Sequence, residues 1–375
     1  MTELPMKSLA IPNDWDRSGL PAWTYHSEAL FRLERDNVFL NHWQVAGHVN
    51  DIPAPGDWLA FDILGERAVV MRGQDGEVRA FHNLCRHRGA RVVDGEQGHC
   101  RGAVICPFHG WVYNLDGTLR GAPAMVRNET FCKEDVRLPP IRVEDWRGWI
   151  MATLNPDAPP PAQALAGVDR LVGHLPMETY TEVFREEFEW ATNWKVLAEN
   201  FMESYHLPVC HAGTIGGASD LNKMECPEGE EAFNHHWIVK NDLVPLALAH
   251  PSNTALQGDD RRITWLLAIY PSLMITLTPG YFWYLSLTPK GPGRVHVLFG
   301  GGMSADWMAD PQAAEHLRGV KALLDDVNVE DKGCVERVYR GLCAGLSAPG
   351  ALSHLERPNY DFARWIASKI PEAQC

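Results

Sequence analysis

Long apolar runs are missing from this chain. The richest stretch, around Ile263–Leu277, is broken by Pro271 and falls short of the roughly 20 residues that cross a bilayer. No apolar leader follows Met1-Thr2-Glu3-Leu4-Pro5-Met6-Lys7, so neither a signal peptide nor a membrane partner is expected. Positive charge is also short: Lys plus Arg number 34 against 48 Asp plus Glu, a formal net charge of −14. Such a balance repels phosphate backbones and argues against nucleic acid as a ligand. It suits a cationic partner or substrate, and equally an ordinary acidic soluble enzyme. Nine cysteines in 375 residues are odd in number and sparse, which excludes a disulfide framework and points to a reducing cytoplasm. A full G-x-G-x-x-G fingerprint is absent. Its nearest match, Gly300-Gly301-Gly302-Met303-Ser304-Ala305, runs into Asp310-Pro311 where a helix should continue. Repeats and low-complexity tracts are absent as well.

What is present is globular: 45% hydrophobic and 22% charged residues, enough for one large or two medium domains. Residues 1–42 mix loop signals with one helix, N-capped by Ser27 and running through Phe39. Residues 43–155 alternate short Val/Ile/Trp/Phe runs with turns such as Gly73-Gln74-Asp75-Gly76 and Asp116-Gly117, the pattern of a small antiparallel sheet domain. Residues 156–163, rich in proline, read as a stiff linker. Residues 164–375 form the larger domain, with helices expected at Ala164–Leu175, Asn193–Leu207 and Pro311–Leu346. Strands are expected at 181–190, 232–240, 262–278, 281–289 and 294–302. The fold class is α+β.

Two loops concentrate metal-binding chemistry. Cys85-Arg86-His87-Arg88-Gly89 and Cys106-Pro107-Phe108-His109-Gly110-Trp111 each offer one thiol and one imidazole, separated by 18 residues, 88 to 105. Two thiolates and two imidazoles can bind tetrahedral zinc. They can also bind a [2Fe–2S] cluster, with both cysteines on one iron and both histidines on the other. Zinc sites usually group like residues together, whereas here each loop supplies one ligand of each kind. His82, His99 and Cys100 lie nearby but outside the pattern.

These two motifs match, residue for residue, those of the Rieske non-heme iron oxygenases, and the chain resembles the catalytic alpha subunit of that family. The gap between the loops is slightly long for the family, as a loop insertion near Asp94–Gly98 would explain. The resemblance implies a small antiparallel β Rieske domain and a larger helix-grip catalytic domain with which residues 1–42 pack.

The second constellation lies in the larger domain. Asn193 N-caps a segment read as one helix through His206, which places Glu203 and His206 at i and i+3 on a face shared with Glu199. Pro208 is expected to stop that helix and to leave His211 in the exiting turn. Asn-Trp-Lys, Glu-Asn-Phe and Tyr-His with a further His five residues on resemble the family's mononuclear iron motif. That motif needs a distant carboxylate to complete a two-histidine, one-carboxylate face. Asp325, Asp326, Glu330 and Asp331 are candidates; the context Val329-Glu330-Asp331-Lys332, followed by Val338-Tyr339-Arg340-Gly341-Leu342, selects Asp331 by resemblance. The family usually carries Asp where this chain has Glu203, the residue that bridges the two metal centres between subunits. Members resembling carnitine and related quaternary-ammonium monooxygenases carry Glu there.

The resemblance further implies a [2Fe–2S] cluster that feeds a mononuclear Fe(II) of a neighbouring subunit, most simply within a homotrimer. It implies O2 as co-substrate, and NAD(P)H electrons delivered by a separate flavin/iron-sulfur reductase. Gly280-Tyr281-Phe282-Trp283-Tyr284-Leu285 places Tyr281 and Trp283 on one strand face. There they serve either sheet packing or a cage for a trimethylammonium group. The expected activity is monooxygenation of a quaternary-ammonium or N-methyl compound. The alternatives are aromatic-ring hydroxylation and, in a different class, an electron carrier or zinc-stabilised binding protein without oxygenase activity.

Overall fold

A computed structural model describes residues 9–14, 16, 19–218, 220–239, 247–348 and 350–374. Two compact units emerge: Phe39–Gln163, and Met1–Val38 together with Ala164–Cys375. Ser27 Oγ accepts the Leu30 N–H and so caps α1 (Glu28–Leu33). The expected helix continues to Phe39, but as a wider π-helical turn over Glu34–Phe39.

The unit Phe39–Gln163 is built on a seven-stranded antiparallel sheet. Its strands are β1 (Gln44–His48), β2 (Asp57–Ile63), β3 (Glu66–Arg72), β4 (Val78–His82), β5 (Gln97–His99), β9 (Pro140–Trp146) and β10 (Trp149–Thr153), in the order β1-β10-β9-β4-β3-β2-β5. A three-stranded sheet of β6 (Val104–Ile105), β7 (Val112–Tyr113) and β8 (Leu119–Gly121) carries the second motif loop. The stretch expected to be a loop insertion contributes β5, which pairs with β2 through Asp57↔His99. The proline-rich segment that follows β10 lies against the unit: Trp43 Nε1 donates to Pro159 O, and the Arg142 guanidinium donates to Pro156 O and Ala158 O. Short helix α2 (Pro161–Ala164) comes next.

After α1, the second unit resumes with α3 (Ala166–Val172), shorter than the expected helix. A second seven-stranded antiparallel sheet takes the order β11-β17-β16-β15-β14-β13-β12. Its members are β11 (Thr181–Trp190), β12 (Met224–Glu225), β13 (Phe233–Val239), β14 (Ile263–Ile269), β15 (Leu273–Leu277), β16 (Tyr281–Gly291) and β17 (Arg294–Met303). The single strand expected over 262–278 is a hairpin, because Tyr270-Pro271 turns the chain and Pro271 has no N–H for a ladder. The expected strand 232–240 ends at Val239, residue 240 lying outside the described residues. Helices α4 (Trp194–Phe201), α5 (Leu207–Cys210), α6 (Ala305–Met308), α7 (Ala313–Leu342) and α8 (Arg357–Lys369) complete this unit. Long α7 starts two residues later and ends four earlier than expected, and buries Val320, Leu324, Val327 and Val335. No helix among the described residues is long and apolar enough to cross a membrane.

Candidate active site

The two motif loops fold alike. In each, the cysteine N–H donates to a carbonyl five residues on (Ala90 O and Trp111 O, both 2.8 Å). A glycine N–H four residues on returns to the cysteine carbonyl (Gly89, 2.9 Å; Gly110, 3.1 Å). Both glycines sit in the left-handed region, φ 73° and 70°, which closes the loop without steric cost. The result buries the Cys85 and Cys106 thiols and leaves both histidines exposed. His87 Nδ1 and His109 Nδ1 meet at 3.1 Å, and Trp111 stacks on the His87 ring at 4.8 Å. Two nitrogens this far apart fit two cis ligands of one metal at about 2.1 Å each. Burial pushes the Cys106 thiol up, and the neighbouring Cys85 adds to the rise. A cationic cluster would relieve both effects by taking the thiolates. The nearby residues outside the pattern have other partners: His99 Nδ1 meets Asp57 at 2.9 Å, and His82 faces Glu66 at 3.9 Å.

In the larger unit the expected continuous helix 193–206 breaks. Asn193 caps it as expected, its side chain accepting from Lys195 N at 2.9 Å, but α4 ends at Phe201. The Glu203 carboxylate takes the Tyr205 and His206 N–H groups that α-helical carbonyls would have accepted, and so holds a turn instead. Pro208 then starts α5 rather than stopping a helix, since its missing N–H costs nothing in a first turn. Glu199 and Glu203 therefore do not share a helix face. Glu199 remains on α4 and accepts the Tyr25 hydroxyl with both oxygens at 2.8 Å; burial pushes its carboxyl up to about 7.

The break brings three ligand atoms together. His206, His211 and Asp331 each offer one atom, all within 4.8 Å of one another. Asp331 Oδ1 lies 3.1 Å from His211 Nε2 and 3.6 Å from His206 Nε2, and it accepts from Asn200 Nδ2 at 2.8 Å. The outer nitrogens are anchored as well. His206 Nδ1 meets Glu203 Oε1 at 2.6 Å, and His211 Nδ1 meets Glu330 Oε2 at 2.7 Å, where the Thr214 hydroxyl also donates. Both rings thus present Nε2 inward, the arrangement that fixes a metal-ligating histidine. Burial by itself would lower His206, but Asp331 and Glu203 on its two sides lift it to about 10. Asp331 falls to about 2 despite its burial, because both imidazoles face it. A carboxylate and two imidazoles on one point, leaving other directions free, fit a divalent iron better than a structural zinc.

Among the four carboxylate candidates, Asp325 instead pairs with Lys321 at 2.5 Å, and Glu330 stands behind His211. Sequence reasoning named Glu330 only as a candidate ligand and not as the partner of His211, and it missed Thr214 and the contact of Asn200 with Asp331. Asp331 carried a usable signal: in α7 it occupies the buried stripe 320, 324, 327, 331, 335, where a bare carboxylate would be costly. The three ligand atoms line a cavity whose wall includes Phe201, Tyr281 and Trp283, with Phe201 edge-on to Trp283 at 5.6 Å. Phe282 and Tyr284 face away from it, Phe282 against Tyr180 and the Tyr284 hydroxyl on Glu182.

Comparison with known proteins finds two family matches in this chain. Residues 42–138 match the Rieske [2Fe-2S] domain, and residues 177–372 match the ring hydroxylating alpha subunit (catalytic domain). The carnitine monooxygenase oxygenase subunit of Escherichia coli (strain K12) is 31% identical over 267 residues, 69% of this chain and 67% of that protein. The glycine betaine monooxygenase oxygenase subunit of Pseudomonas aeruginosa (strain UCBPP-PA14) is 32% identical over 57% of this chain, and the match spans about half, 49%, of its own length. In fold, a quaternary ammonium Rieske monooxygenase crystallised with L-carnitine superposes with a TM-score of 0.80 at 22% identity, covering 98% of this chain and 99% of the other. Naphthalene 1,2-dioxygenase from Rhodococcus sp. superposes at 0.77 and 22%, covering 96% and 95%.

Proposed function

The chain belongs to the Rieske non-heme iron oxygenases, as a catalytic alpha subunit with a [2Fe–2S] domain, and from that premise we propose that it is the terminal oxygenase component of a system that monooxygenates a quaternary-ammonium or N-methyl compound. One observation carries the substrate class. The ligand atoms of His206, His211 and Asp331 open into a cavity walled by Phe201, Tyr281 and Trp283, and no Lys or Arg occurs among its described lining residues. Aromatic faces and carboxylates attract an alkylammonium group, and no Lys or Arg side chain opposes it.

In this reading Cys85, Cys106, His87 and His109 hold the cluster, and His206, His211 and Asp331 hold the iron. Bound there, the cluster would supply electrons one at a time and the ferrous ion would supply the chemistry that activates O2. The protein's own residues set the geometry. Glu203 and Glu330 accept the Nδ1–H of the two histidines, Asn200 steadies Asp331, and the apolar wall excludes water from the methyl group that reacts. Glu203 is also the proposed link to the cluster of a neighbouring copy. Exposed Leu84, Ile105 and Phe108 surround the cluster loops, and exposed Tyr205 and Val209 flank His206, so each site carries an apolar rim suited to a subunit contact. A homotrimer closes such a head-to-tail arrangement. A separate reductase would feed the cluster from NAD(P)H, in the cytoplasm.

Substrate-dependent O2 uptake under 18O2 tests the reading. Formaldehyde release from an N-methyl compound is the expected result. A cis-diol from an aromatic compound, without activity on any ammonium compound, would replace it with ring hydroxylation.

A further inference from the structure

The cavity wall contains two hydroxyl groups that the fold itself does not use. Thr264 on β14 and Thr276 on β15 line the cavity, each is 4% exposed, and neither Oγ1 has a hydrogen-bond partner. Strand register puts them on the same sheet face. Leu266, Thr276 and Trp283 form one cross-strand row, and Thr264 lies two residues from Leu266, opposite Ile238. The neighbouring Thr278 shows what a structural threonine looks like here: its Oγ1 accepts from Gly280 N and Tyr281 N and donates to Tyr281 O at 2.8 Å. Valine has the shape of threonine and suits a buried strand, and it would remove the cost of burying an unpaired hydroxyl. Two threonines at cavity positions therefore lack a structural reason and have a ready recognition one.

The charge around them narrows what they recognise. Asp331 is committed to the metal with His206 and His211, Glu203 is committed to His206, and the described lining residues include no Lys or Arg that could pair with a substrate carboxylate. A substrate carboxylate beside the threonines would be buried with hydroxyl donors alone, and an ionised group pays most for such burial. An alcohol, ether or carbonyl oxygen needs only hydrogen bonds, and an alcohol can donate to one threonine while accepting from the other. Thr276 pairs directly with Trp283 across the β15–β16 ladder, a strand spacing of about 4.8 Å. That interval suits an ammonium group on the indole and an oxygen two carbons away on the hydroxyl.

We infer that Thr264 and Thr276 form a polar subsite selecting an N-methylated ammonium compound with an uncharged oxygen function, of the short amino-alcohol type, over its carboxylate analogue. This rests on the reading that the cavity receives an alkylammonium substrate.

Calorimetric titration of the anaerobic holoenzyme, without turnover, tests it with three probes: 2-hydroxyethyltrimethylammonium, ethyltrimethylammonium and glycine betaine. The hydroxylated probe should bind about tenfold more tightly than the ethyl probe, in line with one or two net hydrogen bonds, and more tightly than the betaine. The Thr264→Val/Thr276→Val double variant should erase that preference to within about twofold. Thr264→Ser/Thr276→Ser should keep it. Ligand-free, the valine variant should melt no lower than the parent, which separates lost recognition from lost folding. A preference that survives in the valine variant, equal binding of hydroxyl and ethyl probes by the parent (the hydroxyls then meeting only water), or tighter betaine binding would each overturn the inference while leaving the alkylammonium reading intact. Failure of all three probes to bind, with binding of an aromatic hydrocarbon, would overturn that reading itself.

Discussion

Lys195 and Glu34 form an ion pair with side chains 0% and 1% exposed, Nζ to Oε1 at 2.5 Å. Glu34 also accepts the Trp194 indole N–H at 2.9 Å, and the Lys195 ammonium lies over the rings of Tyr25 (5.6 Å) and Trp194 (5.4 Å). Lys195→Met keeps the apolar stem and removes the cation, which leaves the Glu34 carboxylate buried with one neutral donor. Breaking a buried pair from one side costs about 3–5 kcal/mol, because the surviving charge stays desolvated. At a urea slope of about 3 kcal/mol/M the midpoint should fall by about 1 to 1.7 M. Adding Glu34→Gln removes the stranded charge and keeps an oxygen for Trp194, so the double variant should recover at least half of the loss. Tryptophan fluorescence follows the transition, while cluster absorbance monitors the other unit separately. A single-variant shift below about 0.3 M, or a double variant no better than the single, would refute the reasoning; the pair would then be solvated or compensated in a way that its burial denies.

Asp331→Ala should strip the mononuclear iron and abolish turnover, while the brown cluster stays; metal analysis checks this, and full iron content with Asp326→Ala depleted instead would reassign the ligand. Glu203→Gln, which keeps an acceptor oxygen for the turn and for His206 but removes the charge, should retain both metals and accept electrons into the cluster, yet reoxidise it slowly with substrate and O2 in stopped flow, whereas normal reoxidation would end the bridging role. Glu199 gives a pH dependence: its carboxyl is raised to about 7 in the folded chain, so its proton stabilises the fold fully below the unfolded value near 4.5, and that contribution is lost as pH rises through about 7. Glu199→Gln, which mimics the protonated form, should flatten the fall in melting temperature between pH 5 and 8.5; an unchanged slope would show that another group causes it.

Local chemistry was legible in the sequence, and long-range partnership was not. The cluster loops are local: ligands and closing glycine lie within five residues, so C-x-H-x-G and C-x-x-H-G state both the donors and the turn that aims them. His206 and His211 are readable for the same reason. The end of α4 was not, because the hydrophobic pattern continues past Phe201 and only the carboxylate of Glu203, folding back onto Tyr205 and His206, decides the stop. Glu330 stands 119 residues from His211, and Glu34 stands 161 from Lys195, so no periodicity links them. The hairpin at Pro271 and the shared face of Thr264 and Thr276 depend on strand register, which sequence alone leaves open.

These distant partners share a physical logic. A divalent site needs anionic ligands held rigidly, and a segment rich in carboxylates will repel itself unless each charge is given a fixed partner. Glu34 takes Lys195, Glu199 takes the Tyr25 hydroxyl, Glu203 takes His206, and Glu330 takes His211 and Thr214. Among the described residues, Asp331 alone directs its charge at both histidine Nε2 atoms, and hence at the point where a cation would sit. Two of those partners, Tyr25 and Glu34, come from the N-terminal segment, 174 and 161 residues from the α4 side chains that they meet. Residues 19–38 therefore do more than cover a hydrophobic face. They give the Lys195 cation a buried counter-charge and the Glu199 carboxyl a hydroxyl donor, so the helix that leads into the site is held by a segment that contributes no ligand to it.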